Sequence, residues 1–197
     1  MEMTKGVQSP NKSLENQALR IPKTGKIGNL ARNIENETNR SVVLKVMENV
    51  DKFKSASDRT KKAEWVKEAI KRLEQQVGEE KSIKIMENCG RDCCRKHARY
   101  KKLIKEFKSI EEFLDKLSTG GFQFKLKDKN TIVGKYDKCY CYQVKQTKKP
   151  FPTKTYCYCG AGHIREIFES FFKKPVEVEL AQSVITGAES CKFLIHI

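Results

Sequence analysis

The residues best suited to chemistry lie in one short stretch, KCYCYQVKQTKKPFPTKTYCYCG, which contains Cys139, Cys141, Cys157 and Cys159. Thiolates bind zinc and other soft transition metals, and they are also nucleophiles. Cysteine and tyrosine alternate on both sides of a proline-containing loop, and residues two apart on a strand share a face. The pattern predicts a β-hairpin centred near Lys149, with Cys139 opposite Cys159 and Cys141 opposite Cys157.

Such a hairpin would bring thiols to metal-binding separations. Directly opposed Cβ atoms lie about 4.5–5.5 Å apart, and a Zn–S bond is roughly 2.3 Å long. Same-face neighbours along a flat strand are about 6.5 Å apart. One tetrahedral site therefore requires a bulge, a twist or ligands from elsewhere in the chain. We predict that these four cysteines bind zinc or another soft-ligand transition metal.

A second set of candidate ligands lies in the helix-like stretch KSIKIMENCGRDCCRKHARYKKLI. Cys89, Cys93 and His97 are spaced by four residues and would share one helical face. Cys89 and Cys93 are therefore predicted to contribute to the metal site. The alternative is that these two cysteines continue an apolar stripe, because free cysteine is often buried. His163 is isolated in the sequence and is predicted to be structural.

Two other chemistries compete with metal binding. Cys159 precedes Gly160-Ala161-Gly162 and a helix start, where a thiol pKa is lowered, and Cys93-Cys94 are vicinal. A thiol redox protein is therefore an alternative, although the redox motif C-x-x-C does not occur in a βαβ setting. No Ser-His-Asp, metalloprotease or paired-carboxylate pattern supports an enzyme. The sequence thus favours a binding protein and leaves catalysis open.

The composition limits the class of protein. The chain has 197 residues, of which 38% are hydrophobic, and this suits one domain. It contains no apolar run of membrane-spanning length and begins without a secretory signal, so we expect a cytoplasmic protein with no membrane association. In that compartment the eight cysteines are expected to be metal ligands or redox thiols rather than disulfides.

The charge of the chain predicts only non-specific contact with polyanions. The net charge of +15, from 40 basic and 25 acidic side chains, is spread along the sequence. The basic stretch RKHARYKKLIKEFK carries no recognised nucleic-acid-binding module. We expect weak, salt-sensitive binding to nucleic acid without sequence preference. Whether the chain forms a homodimer stays open.

Hydrophobic periodicity divides the chain into three regions. Residues 1–33 show no apolar period and are predicted to form a flexible tail. Residues 34–118 have helical spacing, and residues 119–197 alternate as strands around one amphipathic helix. The second and third regions are predicted to form one α+β domain, with N-terminal helices packed on a mainly antiparallel sheet.

Four segments carry a resemblance to known families: CGRDCC, YDKCYC, TYCYCGAGHIREIFE and PVEVELAQSVITGAESCKFLIHI. Together they resemble an uncharacterised prokaryotic family of cysteine-rich cytoplasmic proteins over most of residues 40–197. The C-terminal region also resembles 4-vinyl-reductase-type small-molecule-binding domains. That resemblance implies a pocket between sheet and helices for a small apolar ligand, and a role as a sensor or binding module.

The second resemblance rests on specific positions. Cys191-Lys192-Phe193 matches the end of the 4-vinyl-reductase-type pattern, Gly187 the turn, and Glu177 or Glu179 the acidic residue. Ser183 stands where that family usually has a second zinc-ligating cysteine. An alternative function follows from a similar C-terminal hairpin in aminothiazoline-carboxylate hydrolases, which implies a hydrolase-like enzyme.

Overall fold

Eight α-helices and a four-stranded antiparallel sheet form the described part of the chain, residues 20–197 of a computed structural model. The helices are α1 (Gly25–Glu37), α2 (Arg40–Val46), α3 (Val50–Ser55), α4 (Arg59–Val77), α5 (Glu79–Arg95), α6 (Ala98–Glu106), α7 (Ile110–Leu117) and α8 (Tyr158–Phe172). The strands are β1 (Phe122–Asp128), β2 (Thr131–Tyr136), β3 (Glu177–Gln182) and β4 (Cys191–His196). The predicted α+β class, with one helix between strands, is confirmed.

The sheet has the strand order β1-β2-β4-β3, and every neighbouring pair is antiparallel. Cys191, Phe193 and Ile195 are buried on β4 and alternate with outward residues. Val178 and Leu180 do the same on β3. This alternation is the pattern of a sheet with one face on the core, as predicted for these two strands.

Helices α5 and α8 cross at very close range through two glycines. A Cβ atom on Gly90 would overlap the carbonyl oxygen of Cys159. A Cβ atom on Gly162 would overlap the carbonyl oxygen of Glu87 and lie 2.6 Å from its Cα. Backbone therefore packs directly on backbone, which only glycine permits. This contact fixes the start of α8, and with it Cys157 and Cys159, against α5.

Ion pairs flank the crossing of α5 and α8. Arg91 of α5 contacts Glu166 and Glu169 of α8 at 3.0 and 2.6 Å. In the opposite sense, Arg165 of α8 contacts Glu87 of α5 at 3.0 Å. All five side chains are at least three-quarters buried, so these pairs are screened less than surface pairs. They add directional contacts to the close packing of the two helices.

Helix α1 replaces much of the predicted N-terminal tail. Residues 1–19 lie outside the described residues, whereas residues 25–33 belong to α1. Ile27, Leu30 and Ile34 are buried in the core. Asn29 also donates a hydrogen bond to the carbonyl of Cys89, 2.9 Å away. The reason is an apolar i, i+3, i+7 spacing, which stabilises a helix on α5 despite the polar composition around it.

The predicted hairpin of the four central cysteines is wrong. Cys139 and Cys141 lie in an irregular segment between β2 and α8, Cys157 ends a 3-10 turn, and Cys159 lies in the first turn of α8. The carbonyl of Cys141 accepts bonds from nearby backbone amides, as in a turn. The apolar spacing of the helix that follows extends back to Tyr158, and its packing on α5 overrides the short two-residue period.

Other predicted helices are present with changed boundaries. Asn49 adopts a left-handed φ of 56° and separates α2 from α3. The long stretch around Cys89 is likewise divided, because α5 ends at Arg95 and His97 precedes α6. Cys89, Cys93 and His97 therefore do not share one continuous helix. None of the helices in residues 20–197 is both long and apolar enough to cross a membrane.

Candidate functional site

A cavity of about 280 Å³ is lined by six of the eight cysteines. We call it the thiol cavity. Its walls include six cysteines and two histidines: Cys93, Cys139, Cys141, Cys157, Cys159, Cys191, His97 and His163. All eight cysteines of the sequence are free thiols. The four central cysteines thus line one cavity, although they do not form the predicted hairpin.

An adjoining cavity of about 290 Å³ lies between α1 and α5. It shares five lining residues with the thiol cavity: Lys26, Cys93, His97, Tyr156 and Cys159. Cys89 lines this second cavity and not the first. The two predicted helical ligands therefore differ in position: Cys93 lines both cavities, whereas Cys89 lines only the adjoining cavity.

Burial keeps the thiols of Cys139, Cys157 and Cys159 protonated in the metal-free chain. It raises the pKa of Cys139 to about 11 and that of Cys159 to about 12. Burial also raises the pKa of Cys157, although a hydrogen bond from Ser183 opposes the shift. A thiol must lose its proton before it binds a metal. Within the described residues, no three His, Cys, Asp or Glu side chains are already arranged to hold one metal ion.

The histidines lie close to Cys93. Sγ of Cys93 is 3.8 Å from Nε2 of His97, and the ring centroids of His97 and His163 are 5.8 Å apart. Burial, with a smaller contribution from His97, lowers the pKa of His163 to about 4. His163 is therefore a neutral imidazole at pH 7, which is the state that binds metals. The local signal for His163 is its helical spacing of four residues from Cys159, which the predicted strand at Cys159 obscured.

Ser183 and the β3 glutamates stand at positions where the 4-vinyl-reductase resemblance implies zinc ligands. The Ser183 hydroxyl donates to Sγ of Cys157 at 3.0 Å, and the side chain is buried. Glu177 and Glu179 instead lie exposed on the outer face of β3, while Cys191 is buried on the inner face of β4. The glutamates therefore cannot share a metal with Cys191 in this fold.

Cys141 has two hydrogen-bonding partners that the sequence did not reveal. Nζ of Lys26 lies 3.3 Å from its sulfur, and the hydroxyl of Tyr156 lies 3.0 Å from the same atom. Lys26 is solvent-exposed as a residue, yet its ammonium reaches the cavity wall. Lys26 and Cys141 are 115 residues apart, so only the folded chain brings them together.

The segment before α8 is held by Glu74 of α4. Thr153 and Thr155 both donate to its Oε1 atom, at 2.7 and 2.5 Å. Thr155 begins the 3-10 turn that ends at Cys157 and is buried. Glu74 thus connects the long helix α4 to the chain that carries the cavity thiols.

Replacing Glu74 with alanine should destabilise the chain. The buried Thr155 hydroxyl would lose its acceptor, and such a loss costs about 1–3 kcal/mol. Glu74→Gln, which retains a carbonyl acceptor, should recover most of this stability. Urea unfolding measures the difference, with Glu68→Ala on the exposed side of the same helix as the control. Equal stability of E74A and E68A would show that the threonine contacts contribute nothing.

Comparison with known proteins identifies a family and a fold. The model of a family of unknown function (DUF6144) matches residues 23–197. No curated protein matches the sequence. An Fe(II) unliganded H-NOX protein from K. algicida is similar in structure, with 13% sequence identity, coverage of 86% of this chain and 92% of that chain, and a TM-score of 0.50. A point mutant of that protein gives 14% identity, 87% and 94% coverage, and the same TM-score of 0.50.

An H-NOX protein from S. oneidensis in an Fe(II)NO state is similar at a TM-score of 0.48, with 13% identity and coverage of 87% of this chain and 96% of that chain. At such identities the likeness to the K. algicida protein concerns the fold alone. It agrees with helices packed on a four-stranded antiparallel sheet. The uncharacterised family is confirmed, whereas the likeness to 4-vinyl-reductase-type domains finds no support in these matches.

Proposed function

We propose that this chain, which belongs to the family of unknown function DUF6144, binds a soft transition-metal ion in its thiol cavity. Zinc is the foremost candidate, and the protein would act as a metal-dependent small-molecule-binding or sensor protein. One observation carries the proposal: six thiols and two imidazoles line a single cavity of about 280 Å³. Sulfur and imidazole nitrogen are the ligands that zinc prefers.

The proposed ligands are Cys139, Cys141, Cys157 and Cys159. They come as two pairs from two segments of different rigidity. Cys157 and Cys159 are fixed by the packing of α8 on α5, while the other pair lies in irregular chain. A metal ion would draw the irregular segment onto the fixed pair, because ligand convergence is coupled to local ordering. Cys93 of α5 lines the same cavity, whereas Cys89 lines only the adjoining one.

Heme is an alternative cofactor to consider, because solved H-NOX structures are described with Fe(II) and with heme. Heme is a broad flat plate that needs an axial ligand and an apolar slot. The thiol cavity is at the small end of ligand pockets, and its walls hold six thiols and the Lys26 ammonium. These residues do not fit heme, whereas their sulfur-rich donor set fits a thiolate-bound ion.

Aromatic side chains support the small-molecule part of the proposal. Phe122, Tyr136, Tyr140 and Phe193 line the same cavity as the thiols. Apolar walls beside a few polar groups are the usual composition of a ligand site. A small apolar ligand would lie against these rings, next to the metal.

Metal analysis of protein purified without added metal tests the proposal. We expect about one zinc ion per chain, and the double variant Cys157→Ser/Cys159→Ser should bind zinc about 100-fold more weakly or worse, because two of four thiolates are lost. Cys94→Ala is the matched control, since Cys94 is buried but lines neither cavity. Zinc-free protein that gains a Soret absorption band with hemin, and loses it in His163→Ala, would contradict the proposal.

A further inference from the structure

We infer that Cys141 is the reactive thiol of the cavity and that it undergoes thiol–disulfide exchange with small anionic disulfides. The inference uses the same cavity as the proposed function but does not require a metal. It rests on the groups around the Cys141 sulfur and on the cations and aromatic rings of the neighbouring chain.

Two donors point at the Cys141 sulfur. An ammonium group has no acceptor, so Lys26, at 3.3 Å, can only donate to the sulfur. Tyr156 is buried, and burial raises its pKa well above the usual value, so it remains a phenol and can donate across 3.0 Å. Both contacts are strongest when the sulfur carries negative charge. They therefore stabilise the thiolate, which is the nucleophilic form.

The other cavity thiols lack this arrangement. Cys157 accepts from the neutral hydroxyl of Ser183 at 3.0 Å, and Cys191 accepts from the backbone amide of Val184 at 3.4 Å. Among the thiol hydrogen bonds of the described residues, an ammonium donor reaches Cys141 alone.

The chain next to Cys141 carries cations packed on exposed aromatic rings. The guanidinium of Arg59 lies 4.0 Å from the ring centroid of Tyr142, and Nζ of Lys145 lies 5.7 Å from it. Nζ of Lys138 lies 5.5 Å from the centroid of Tyr140. These tyrosines are 39% and 52% exposed, for Tyr140 and Tyr142 respectively, and so can meet an incoming molecule. Cations and exposed rings favour a small disulfide that carries carboxylates.

The exchange step balances without an added oxidant. The Cys141 thiolate attacks one sulfur of the small disulfide, forming a new S–S bond while the original one breaks. The departing thiolate takes the electron pair and later a proton from water. Cys141 is oxidised to a mixed disulfide, and half of the small disulfide is reduced.

Labelling of the reduced, metal-free chain with less than one equivalent of the anionic disulfide DTNB tests the inference. We expect mass mapping to find Cys141 modified first, and Cys141→Ser to lose the fast phase. Lys26→Met should slow that phase about tenfold at pH 7, because the thiolate loses its cation. Tyr156→Phe should slow it less, and Lys23→Met, an exposed neighbour, should leave it unchanged. Cationic cystamine should react more slowly than DTNB at low salt.

First modification of another cysteine, or equal rates in Lys26→Met and Lys23→Met, would overturn the inference. Circular dichroism of each variant shows whether a slow rate reflects unfolding. One equivalent of zinc separates this inference from the proposed function. Protection of Cys141 by zinc supports both, whereas fast labelling with no protection retains the reactive thiol and rejects Cys141 as a zinc ligand.

Discussion

Gly162→Ala is expected to destabilise the chain by about 3 kcal/mol or more, the upper part of the range for overpacked cores. The added methyl group would overlap the backbone of Glu87 on α5. Backbone cannot rotate away as a flexible side chain can, so α5 and α8 would have to separate. Their separation would also strain the flanking ion pairs of Arg91 and Arg165.

Gly160→Ala is the matched control, in the first turn of the same helix. Its Cβ would lie 3.3 Å from Cζ of Phe193, the end of a side chain, so we expect a loss below about 1 kcal/mol. Urea unfolding of both variants gives the comparison. Similar midpoints for Gly162→Ala and the wild type would contradict the close helix crossing, and with it the rigid placement of Cys157 and Cys159.

Zinc affinity is expected to rise about 1,000-fold per pH unit between roughly pH 6 and pH 8, because zinc displaces one proton from each neutral thiol. Burial raises the pKa values of three proposed ligands. The pKa of Cys139 is raised to about 11 and that of Cys159 to about 12, and the pKa of Cys157 is also raised. All three are protonated throughout this pH range. The expected slope counts these three thiols alone.

Competition with a chromophoric chelator at several pH values measures this slope, and calorimetry in buffers of different ionisation enthalpy counts the protons. The three raised-pKa thiols are expected to release three protons per zinc ion. Cys139→Ser should reduce the count by one. A slope near zero, with no proton release, would mean that thiols are not the ligands.

Parts of the fold followed directly from the sequence because local pattern and tertiary packing agree there. The helical spacing of residues 34–118 is present in α4, which ends at Gly78 with φ of 79°. It is also present in α7, where the Ser109 hydroxyl accepts from the Glu112 amide. In the β3–β4 hairpin the two-residue alternation matches the buried face. In each of these elements the apolar residues recur at a spacing that gives one apolar face in a helix or in a strand, but not in both.

Other parts depended on contacts that spacing alone does not contain. The stripe of Ile27, Leu30 and Ile34 was present in the sequence, but its polar surroundings obscured it. The alternation around Cys157 predicted a strand, yet Gly162 allows a helix to pack there against α5. The gathering of the central cysteines was anticipated, whereas the approach of Lys26 required the folded position of α1.

Cobalt titration tests the central claim, that the thiols of one cavity bind a soft metal ion. Co²⁺ added to the reduced, metal-free chain should give sulfur-to-metal charge-transfer absorption that saturates at about one equivalent and disappears when Zn²⁺ displaces it. Cys94→Ala should behave as the wild type, and Cys157→Ser/Cys159→Ser should lose most of the absorption. A folded wild-type chain without this absorption, or an unchanged spectrum in the double variant, would contradict metal binding by the cavity thiols.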